Sequence, residues 1–438
     1  MQPDFKPGAD FAGNSPKNLT LFMKHCFPLF GFILLTSSFS FAQPGCPDAQ
    51  ASNYNPSATG NDGSCTYPLT NYTPVFKAFL PESMLEVSGH VKAGGNWYLH
   101  NDGSDGSRFY RFTPETGAVT QEIQLKNASN KDWEDIGASS THVYLGDFGN
   151  NLNDRQDLGV YKVPLAKIGS SSSETIDDDE WTFIPFSYAD QTDFSTKPQD
   201  STVFDCEAML FFNNKIHLFT KNRRDYTTSH YIINQVSGKA EKLETFDTDG
   251  MITGADVSPD GKLIVLLGYN LAGLPKVFAW LLWDWQAGSD LFFTGNKRRI
   301  ELGSALVTGQ AEGIAFAGNR TGYITNEETV ANNITFVEQS VRWFDFGQWV
   351  PESTATTEPG EEAGLGIFPN PFSGAVQFRF PGNNRPDRLR VVNQTGQVVF
   401  STENAPEAVD MAAFPAGLYV FEAVWGERIG WIRGVKVK

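Results

Sequence analysis

One β-strand pattern returns five times between Leu85 and Gln348, and this repeat constrains the fold more than any other feature of the chain. Each copy consists of a short apolar strand, a turn rich in Gly, Asn or Asp, a second strand and a polar end. The copies read VSGHVKAGGNWYLHND, WEDIGASSTHVYLGD, CEAMLFFNNKIHLFTKN, ITGADVSPDGKLIVLLGYN and AEGIAFAGNRTGYITNEE. Their alternation and their β-branched and aromatic content exclude a helical repeat.

Each copy is followed by further β-type runs, which brings the unit to four strands. Examples are RFYRFTP with AVTQEIQL, LGVYKVP with EWTFIPFSY, and KVFAWLLWDW with LFFTG. Four strands per unit of about 40–60 residues are typical of a β-propeller. The fifth unit lacks a clear fourth strand, and residues 73–80 (TPVFKAFL) are expected to supply it and close the ring. We predict an all-β chain with a five-bladed propeller over residues 70–350, or six blades if the long second unit hides two.

Aligning the copies places five polar residues in register: Ser88, Glu134, Glu207, Thr253 and Glu312. The innermost strands of propeller blades line the central channel, so three carboxylates and two hydroxyls would converge there. Carboxylates packed closely must share protons or bind a cation, and Ca²⁺ prefers oxygen ligands. We predict a Ca²⁺ site with Glu134, Glu207, Glu312 and Asp147 as ligands. The alternative is that the aligned residues hydrogen-bond backbone N–H groups at strand starts.

The ends of the second strands are expected to form a further polar ring at the same end of the channel. Its members are Asn101, Asp102, Asp147, Asn150, Asn151, Lys221, Arg223, Asn326, Glu327 and Glu328. Arg155, Lys221 and Arg223 beside these acids are predicted to hold an anionic group such as phosphate or carboxylate. Solvated surface charge is the alternative for these cations, and a tight Asn/Gly loop is the alternative for the cluster at Asp147.

Charge and missing motifs exclude several classes of function. The net charge of -17 argues against a nucleic-acid partner, because phosphate neutralisation requires a basic face. The chain has no Gly-rich phosphate loop, no HExxH, no Gly-x-Ser-x-Gly and no CxxC pair. The segment Trp283-Asp284-Trp285 could stack on a sugar, but aromatic residues at alternate strand positions more often pack between blades.

A short segment with two cysteines, residues 43–69, precedes the repeats. Cys46 and Cys65 are predicted to form a disulfide, whereas Cys206 lies in an apolar strand pattern and is expected to be buried and inert. Asn53-Tyr54-Asn55-Pro56 and Asp62-Gly63-Ser64-Cys65 resemble a small module of secreted bacterial proteins. Its oxygen-bearing side chains either bind Ca²⁺ or form turns: Asp48, Asn53, Asn55, Asn61 and Asp62.

The N-terminal region is predicted to direct export. Residues 1–22 are polar and are interpreted as an upstream extension. Residues 23–42 combine a charged start, an apolar stretch and a small-x-small end at Ser40-Phe41-Ala42, which is typical of a signal peptide. No later run approaches 18 apolar residues, so no transmembrane segment is expected in the mature chain.

The C-terminal residues 364–438 form short alternating strands broken by Gly, Asn and Pro, after a Pro/Glu/Thr-rich linker at 351–363. This region resembles the C-terminal sorting domain of type IX secretion cargo from Bacteroidetes, which implies a small immunoglobulin-like β-sandwich. The matching residues are Pro369, Asn370, Pro371, Gly396, Gly417, Tyr419, Lys436 and Lys438. The resemblance implies the type IX machinery as a partner, and a secreted or surface-attached protein.

The repeat region also resembles secreted bacterial propellers, and more distantly esterase-like phytases and gluconolactonase-type propellers. The motifs that carry this resemblance are DWEDIG, YLGDFGNN, DCEAMLF, LFTKNR, ITGADVSPDGK and AEGIAF. It implies a divalent ion held by channel carboxylates, here Glu134, Glu207 and Glu312. Ser88 and Thr253 depart from that pattern.

Two functional hypotheses follow. The first is a binding or adhesion propeller for an extracellular small molecule or glycan, with a structural ion in the channel. The alternative is a Ca²⁺-dependent hydrolase of a phosphoester, lactone or ester, in which the ion activates water. No nucleophile–base pair is visible in the sequence, which favours the first hypothesis.

Overall fold

The structure, a computed structural model, describes residues 43–103, 105–199, 201–233, 238–350, 365–380, 385–394, 397–425 and 428–437. The predicted upstream extension and signal peptide therefore lie outside the described residues, as do the linker and two residues of the sorting motif, Gly396 and Lys438.

The segment with two cysteines folds around a disulfide, as predicted. Cys46 and Cys65 are bonded and buried, and two short strands pair beside them, β1 (Pro44–Gly45) and β2 (Gly60–Asn61). The side-chain oxygens of Asn55 and Asp62 each accept a hydrogen bond from the backbone N–H two residues later. Such bonds are typical of Asx turns, so these two side chains have a structural use in the module.

The first two blades follow two short strands, β3 (Thr70–Asn71) and β4 (Val75–Phe79). Blade 1 consists of β5 (Val87–Ala93), β6 (Asn96–Asn101), β7 (Arg108–Thr113) and β8 (Ala118–Leu125). Blade 2 consists of β9 (Trp133–Ala138), β10 (His142–Asp147), β11 (Gly159–Pro164) and β13 (Thr182–Tyr188). The long second unit holds one blade, because its insert forms β12 (Ser173–Ile176), which pairs in parallel with β8 at the outer edge of blade 1.

Blades 3, 4 and 5 have the same antiparallel order. Blade 3 is β14 (Cys206–Phe212), β15 (Lys215–Thr220), β16 (Thr227–Ile233) and β17 (Gly238–Asp247). Blade 4 is β18 (Met251–Val257), β19 (Leu263–Asn270), β20 (Lys276–Trp283) and β21 (Asn296–Ser304). Blade 5 is β22 (Ala311–Phe316), β23 (Thr321–Asn326), β26 (Ser340–Asp345) and, outermost, β4.

The remaining short elements connect these strands. The hairpin of β24 (Thr329–Ala331) and β25 (Ile334–Val337) separates β23 from β26, and the four-residue helix α1 (Ala305–Thr308) precedes β22. The prediction that LFFTG forms the outer strand of blade 4 is wrong. Phe292–Thr294 forms a 3₁₀ turn whose two Phe side chains are buried, and the outer strand begins at Asn296.

The ring is closed by the segment before the first repeat, as predicted. β4 pairs antiparallel with β26, so the N-terminal strand completes the last blade. The innermost strands contact one another in the cyclic order β5, β9, β14, β18, β22 and back to β5. Five apolar clusters lie between successive pairs of blades, including one between blades 5 and 1. The described structure is therefore a five-bladed propeller, and the alternative of six blades is not realised.

Local sequence explains the hairpins at one end of the blades. Gly94 and Gly95 both have positive φ angles (+55° and +81°), as do Asn213 and Asn214 (+49° and +61°). Positive φ at two central residues matches the twist of a tight hairpin, and Gly and Asn tolerate that conformation best.

The C-terminal region forms two packed sheets around its own apolar cluster. One sheet holds β27 (Gly366–Phe368), β28 (Ala375–Arg379) and β31 (Ala408–Asp410); the other holds β29 (Arg388–Asn393), β30 (Val398–Glu403), β32 (Gly417–Trp425) and β33 (Arg428–Lys436). Asn370 of the Pro-Asn-Pro motif hydrogen-bonds β33 at Arg433 O and Val435 N. The hydroxyl of Tyr419 donates to Pro415 O at 2.7 Å. Residues of the sorting motif therefore form hydrogen bonds within the sandwich, and Asn370 connects its segment to β33.

Candidate functional site

The five aligned polar residues occupy the same structural position. In each innermost strand, pairing with the second strand slips by one residue, and the residue left without a partner is the aligned one. A β-bulge of this kind turns a side chain out of the regular ladder. All five side chains are buried, at the end of the channel where the innermost strands begin: Ser88, Glu134, Glu207, Thr253 and Glu312.

The two hydroxyls connect neighbouring blades. Ser88 Oγ donates to Glu134 O at 2.7 Å, and Thr253 Oγ1 donates to Ala311 O at 2.7 Å. The sequence allows a structural role for the aligned residues, in hydrogen bonds to backbone N–H groups. These two hydroxyls do bond to the backbone, but their partners are carbonyl oxygens. Blades 1 and 4 therefore place hydroxyls in backbone bonds at this position.

Glu207 belongs to a buried ion-pair network. Lys221 Nζ lies 2.9 Å from its Oε2, and Arg223 Nη2 lies 3.6 Å from its Oε1. Arg223 also binds Asp205 through Nη1 at 2.7 Å. Burial opposes ionisation of Glu207, but Lys221 and Arg223 hold its pKa below the usual value. Burial would lower the pKa of Lys221, yet the charge of Glu207 raises it well above normal.

Asp147 is paired in the same way. Arg155 Nη2 lies 2.7 Å from Asp147 Oδ1, and Arg155 Nη1 donates to Gly149 O at 2.8 Å. Three side chains predicted to bind an anion, Arg155, Lys221 and Arg223, are thus engaged with carboxylates of the protein itself. The anion site stays a prediction, and an incoming anion would compete with these pairs.

Three other carboxylates lie together beside Glu207. One oxygen from each of Asp102, Asp132 and Glu134 lies within 4.8 Å of the other two, and we call these three residues the acidic cluster. Asp102 follows β6 and Asp132 precedes β9, and the two strands contact each other, which brings their ends together. Asp102 was expected in the polar ring but not as a metal ligand. The repeat alignment does not place Asp132 in register with the five polar residues, although Asp132 stands in the DWEDIG motif.

Ionisation of the acidic cluster is unfavourable. Burial, followed by the charges of Glu207, Asp102 and Asp132, raises the pKa of Glu134 well above normal. Burial and Asp132 raise the pKa of Asp102 to about 7, and burial and Glu207 raise that of Asp132. The carboxyl of Glu134 also hydrogen-bonds Glu207. Like charges this close favour uptake of a proton or a cation.

The loop after β10 covers the acidic cluster. A Cβ atom at Gly149 would collide with the carboxylates of Asp132 and Glu134, so only glycine fits there. Asn150 N donates to Asp205 Oδ1 at 2.6 Å, and Arg223 Nη1 donates to Asn151 Oδ1 at 2.8 Å. The Asp-Phe-Gly-Asn-Asn segment therefore forms a tight loop over the carboxylates.

Glu312 stands apart from the acidic cluster. It is 7% exposed, and no hydrogen bond to its carboxylate is found within the described part of the chain. Burial raises its pKa well above normal, Lys221 lowers it and Glu327 raises it. Of the four predicted metal ligands, Glu134 alone lies in the acidic cluster. The structure pairs Glu207 and Asp147 with cations and leaves Glu312 outside the cluster.

A cavity of about 880 Å³ opens at this end of the propeller. Its wall includes Asn101, whose buried Oδ1 has no hydrogen-bond partner among the described residues, and Glu327, whose pKa burial raises to about 7. The rest of the wall combines acidic residues such as Glu86 and Asp105 with aliphatic residues such as Leu271 and Leu306. Three residues of the polar ring expected from the sequence, Asn101, Glu327 and Glu328, therefore line this cavity beside apolar side chains.

Comparison with known families identifies the C-terminal domain. Residues 366–428 match the family described as the secretion system C-terminal sorting domain. The chain thus carries the sorting domain of type IX cargo, and the protein is exported and secreted or attached to the outer-membrane surface. No helix among the described residues has the length and apolar character required to cross a membrane.

Solved structures resemble the chain at low identity. PorZ of Porphyromonas gingivalis, a surface component of the type IX secretion system, has 11% identity and a TM-score of 0.30, and the match covers 80% of this chain. The chain covers 45% of the length of PorZ.

Two further structures have propeller-type folds. The PQQ-bound aldose sugar dehydrogenase of Streptomyces coelicolor has 11% identity and a TM-score of 0.37, covering 62% of this chain and 98% of its own. A gluconolactonase of Xanthomonas campestris has 11% identity and a TM-score of 0.32, with 59% and 72% covered. Among curated proteins, none matches the sequence.

Proposed function

We propose that this exported propeller is a binding protein stabilised by one divalent cation, Ca²⁺, held by Asp102, Asp132 and Glu134. The observation that carries the proposal is the acidic cluster itself, three carboxylate oxygens within 4.8 Å of one another, with Glu134 buried and the other two residues partly buried. Ca–O bonds of about 2.4 Å allow ligand oxygens up to roughly 4.8 Å apart on one ion.

The chemistry of the cluster favours Ca²⁺ over a transition metal. Its side-chain ligands are all carboxylates, whereas Zn²⁺ and Cu²⁺ sites in proteins are usually built with His or Cys. Burial and mutual repulsion raise the pKa values of all three acids, and a cation would remove that repulsion. The cluster replaces the predicted ligand set, of which Glu134 remains.

The ion pairs around the site support a binding role over hydrolysis. A hydrolase would use a free cation to stabilise negative charge developing on a phosphoester or lactone. Lys221 and Arg223 are bonded to Glu207 and Asp205, and Arg155 is bonded to Asp147. Ca²⁺-dependent hydrolysis remains the alternative, and it requires one of these pairs to open when substrate binds.

Calorimetric titration of Ca²⁺ into the chelator-treated full chain tests this proposal. We expect one ion per chain, a higher Tm with Ca²⁺, and loss of both effects in Glu134→Gln. A ligand at 100 times its Kd stabilises the folded state by about 2.7 kcal/mol. Without Ca²⁺, Glu134→Gln should melt above the native protein, because it removes one of the repelling acids.

The matched control is Glu122→Gln, which changes a partly exposed carboxylate of blade 1 that pairs with Arg108. This variant should bind Ca²⁺ like the native chain. Absence of heat and of a Tm shift in the native chain would refute the cation site, and so would undiminished binding in Glu134→Gln. Turnover of phosphoester or lactone substrates that depends on Ca²⁺ and on Glu134 would instead establish the hydrolase.

A further inference from the structure

A second site lies at the opposite end of the propeller, between the disulfide module and blades 3 to 5. The innermost strands begin near the acidic cluster and end in hairpins, and the hairpins of blades 3 and 4 border a cleft of about 580 Å³. We call it the tryptophan cleft. Its wall contains Trp283, Trp285, Trp349, Asp48, Asn213 and Lys262.

The disulfide module is held firmly against the propeller beside this cleft. Arg298 Nη1 donates to Gln50 Oε1 at 2.7 Å, and Lys297 Nζ donates to Gly63 O at 3.2 Å. A Cβ atom at Gly63 would collide with the carbonyl oxygen of Thr294, so the two backbones touch there. The cleft therefore lies between two fixed walls, and its ligand need not order a loose segment.

Two of the tryptophans are displayed on either side of a strained residue. Asp284 has a φ of +58°, a conformation uncommon for a residue with a side chain, and Asn61 Nδ2 donates to its carboxylate at 2.9 Å. Trp283 packs at 5.4 Å from the ring of Tyr67. Trp285 makes edge-to-face contacts with Phe292, at 5.2 Å, and with Phe212. Both indoles are only partly buried.

Packing between blades does not use the indole N–H groups of the cleft tryptophans. Trp133 and Trp280, which pack in the propeller, each donate their indole N–H to a backbone carbonyl, at 3.1 and 3.0 Å. No such acceptor is present for Trp283, Trp285 or Trp349 among the described residues, and their N–H groups are not among the buried unpaired atoms. Their indole donors therefore face the cleft or solvent and remain available to a ligand.

The rim supplies further hydrogen-bonding groups of mixed charge. Asn213 and Lys262 lie in exposed hairpin turns. Asp48 accepts from Tyr67 Oη at 2.8 Å and from Gln50 N at 2.8 Å, which fixes its carboxylate at the edge of the cleft. The cleft thus combines flat apolar faces with separate donors and acceptors.

We propose that the tryptophan cleft binds a saccharide, as a short segment of a polysaccharide or glycan chain. A pyranose ring has an apolar C–H face that stacks on an indole and a rim of hydroxyls that bond to N–H, amide and carboxylate groups. The cleft volume lies within the range of about 300–1,000 Å³ usual for small-ligand sites. This site is independent of the cation at the other end of the channel.

Titration of the full chain with soluble neutral hexasaccharides tests the proposal by calorimetry and by tryptophan fluorescence. The probes are cellohexaose, xylohexaose, mannohexaose and maltohexaose. At least one should bind with a 1:1 stoichiometry and change the fluorescence. Trp285→Ala should weaken that binding at least tenfold, while Trp285→Phe, which keeps a smaller ring, should have an intermediate effect.

Two controls separate loss of stacking from loss of folding. Trp343→Ala removes a partly buried tryptophan of blade 5 that does not border the cleft, and its affinity should be unchanged. Glu134→Gln should also bind the saccharide normally, which distinguishes this site from the cation site. The proposal is overturned if none of the four probes binds, or if binding persists in Trp283→Ala and in Trp285→Ala. If Trp285→Ala does not fold, the saccharide affinities of Trp285→Phe and Trp283→Phe are compared with that of the native chain instead.

Discussion

At the scale of single residues, the role of each carboxylate at this end of the channel depends on whether it has a Lys or Arg partner. Glu207 and Asp147 are each bonded to a Lys or Arg, whereas the carboxylates of Asp102, Asp132 and Glu134 lie close to one another. A buried charge without a partner is costly, and an opposite charge within a few ångströms compensates it. The paired acids are therefore structural, and the acidic cluster is where a cation would be stabilised most.

Replacing Lys221 by Met should destabilise the propeller strongly, because it leaves Glu207 buried with only the more distant Arg223. Removing one partner of a buried pair typically costs about 3–5 kcal/mol. We expect a value near the lower end, measured by urea unfolding. Lys126→Met, which breaks an exposed pair with Asp177, should change the free energy of unfolding far less, because solvent and salt screen an exposed pair. Equal effects of the two substitutions would contradict the assignment of Lys221 to a buried pair.

At the scale of elements, the innermost strands are joined across blade boundaries by aspartates as well as by hydroxyls. Asp135 Oδ1 accepts from Ile136 N, and its Oδ2 accepts from Met209 N in blade 3 at 2.7 Å. Asp256 repeats the arrangement with Val257 N and Phe316 N of blade 5. Each carboxylate thus ties a strand to its neighbour at a point where the blades do not share a ladder.

Asp256 should make stability depend on pH in a direction opposite to that of a salt-bridged acid. Burial raises its folded-state pKa from 3.8 to about 7, so the folded protein binds this proton more tightly than the unfolded chain. Stability contributed by this group is present below about pH 4 and is lost as the pH rises towards 7. Asp256→Asn should reduce the change in Tm between pH 4 and 7, and the other acids with raised pKa values supply the part that remains.

The same substitution should lower Tm overall at pH 5, because an amide can accept only one of the two N–H groups. Leaving one buried donor unpaired costs about 1–3 kcal/mol. Asp193→Asn, at an exposed acid, is the control, and its Tm should differ little from that of the native chain. A native-like pH profile for Asp256→Asn would exclude Asp256 as the source.

At the scale of the whole molecule, the propeller depends on a strand that precedes the first repeat. β4 completes blade 5, and an apolar cluster that includes Leu80, Leu99 and Val341 joins blades 5 and 1. Each blade buries its faces against its neighbours, so a ring that is not closed leaves two apolar faces in water. The closing strand is therefore required for the stability of all five blades.

Deletion of residues 73–80 should abolish cooperative unfolding or prevent soluble expression. Moving this segment to follow Val350 through a short Gly/Ser linker should restore a cooperative transition, because β4 and β26 are antiparallel. Thermal melts followed by circular dichroism provide the measurement. A cooperative melt at the native Tm in the deleted chain would show that the strand does not close the ring.

Much of this architecture could be predicted, because it depends on the local periodicity of the sequence. The repeated strand–turn–strand pattern predicted the inner hairpins and five blades with six as the alternative, and the prediction that TPVFKAFL closes the ring is confirmed. The outer strand of blade 4 was misplaced at LFFTG because Phe292 and Phe293 are apolar like a strand, although they are buried in a 3₁₀ turn. The alignment found the bulged position in all five blades without indicating that it was a bulge.

The sequence by itself determined the export signal at the C-terminus, the all-β class, the disulfide and the set of polar residues at one end of the channel. The tertiary structure decided which of those residues are neutralised by a cation and which are not. Asp132 joins Asp102 and Glu134 only because β6 and β9 meet, and Lys221 reaches Glu207 only across a hairpin. Pairing of charges depends on distances between strands that sequence order does not encode, whereas periodicity is local and can be read along the chain.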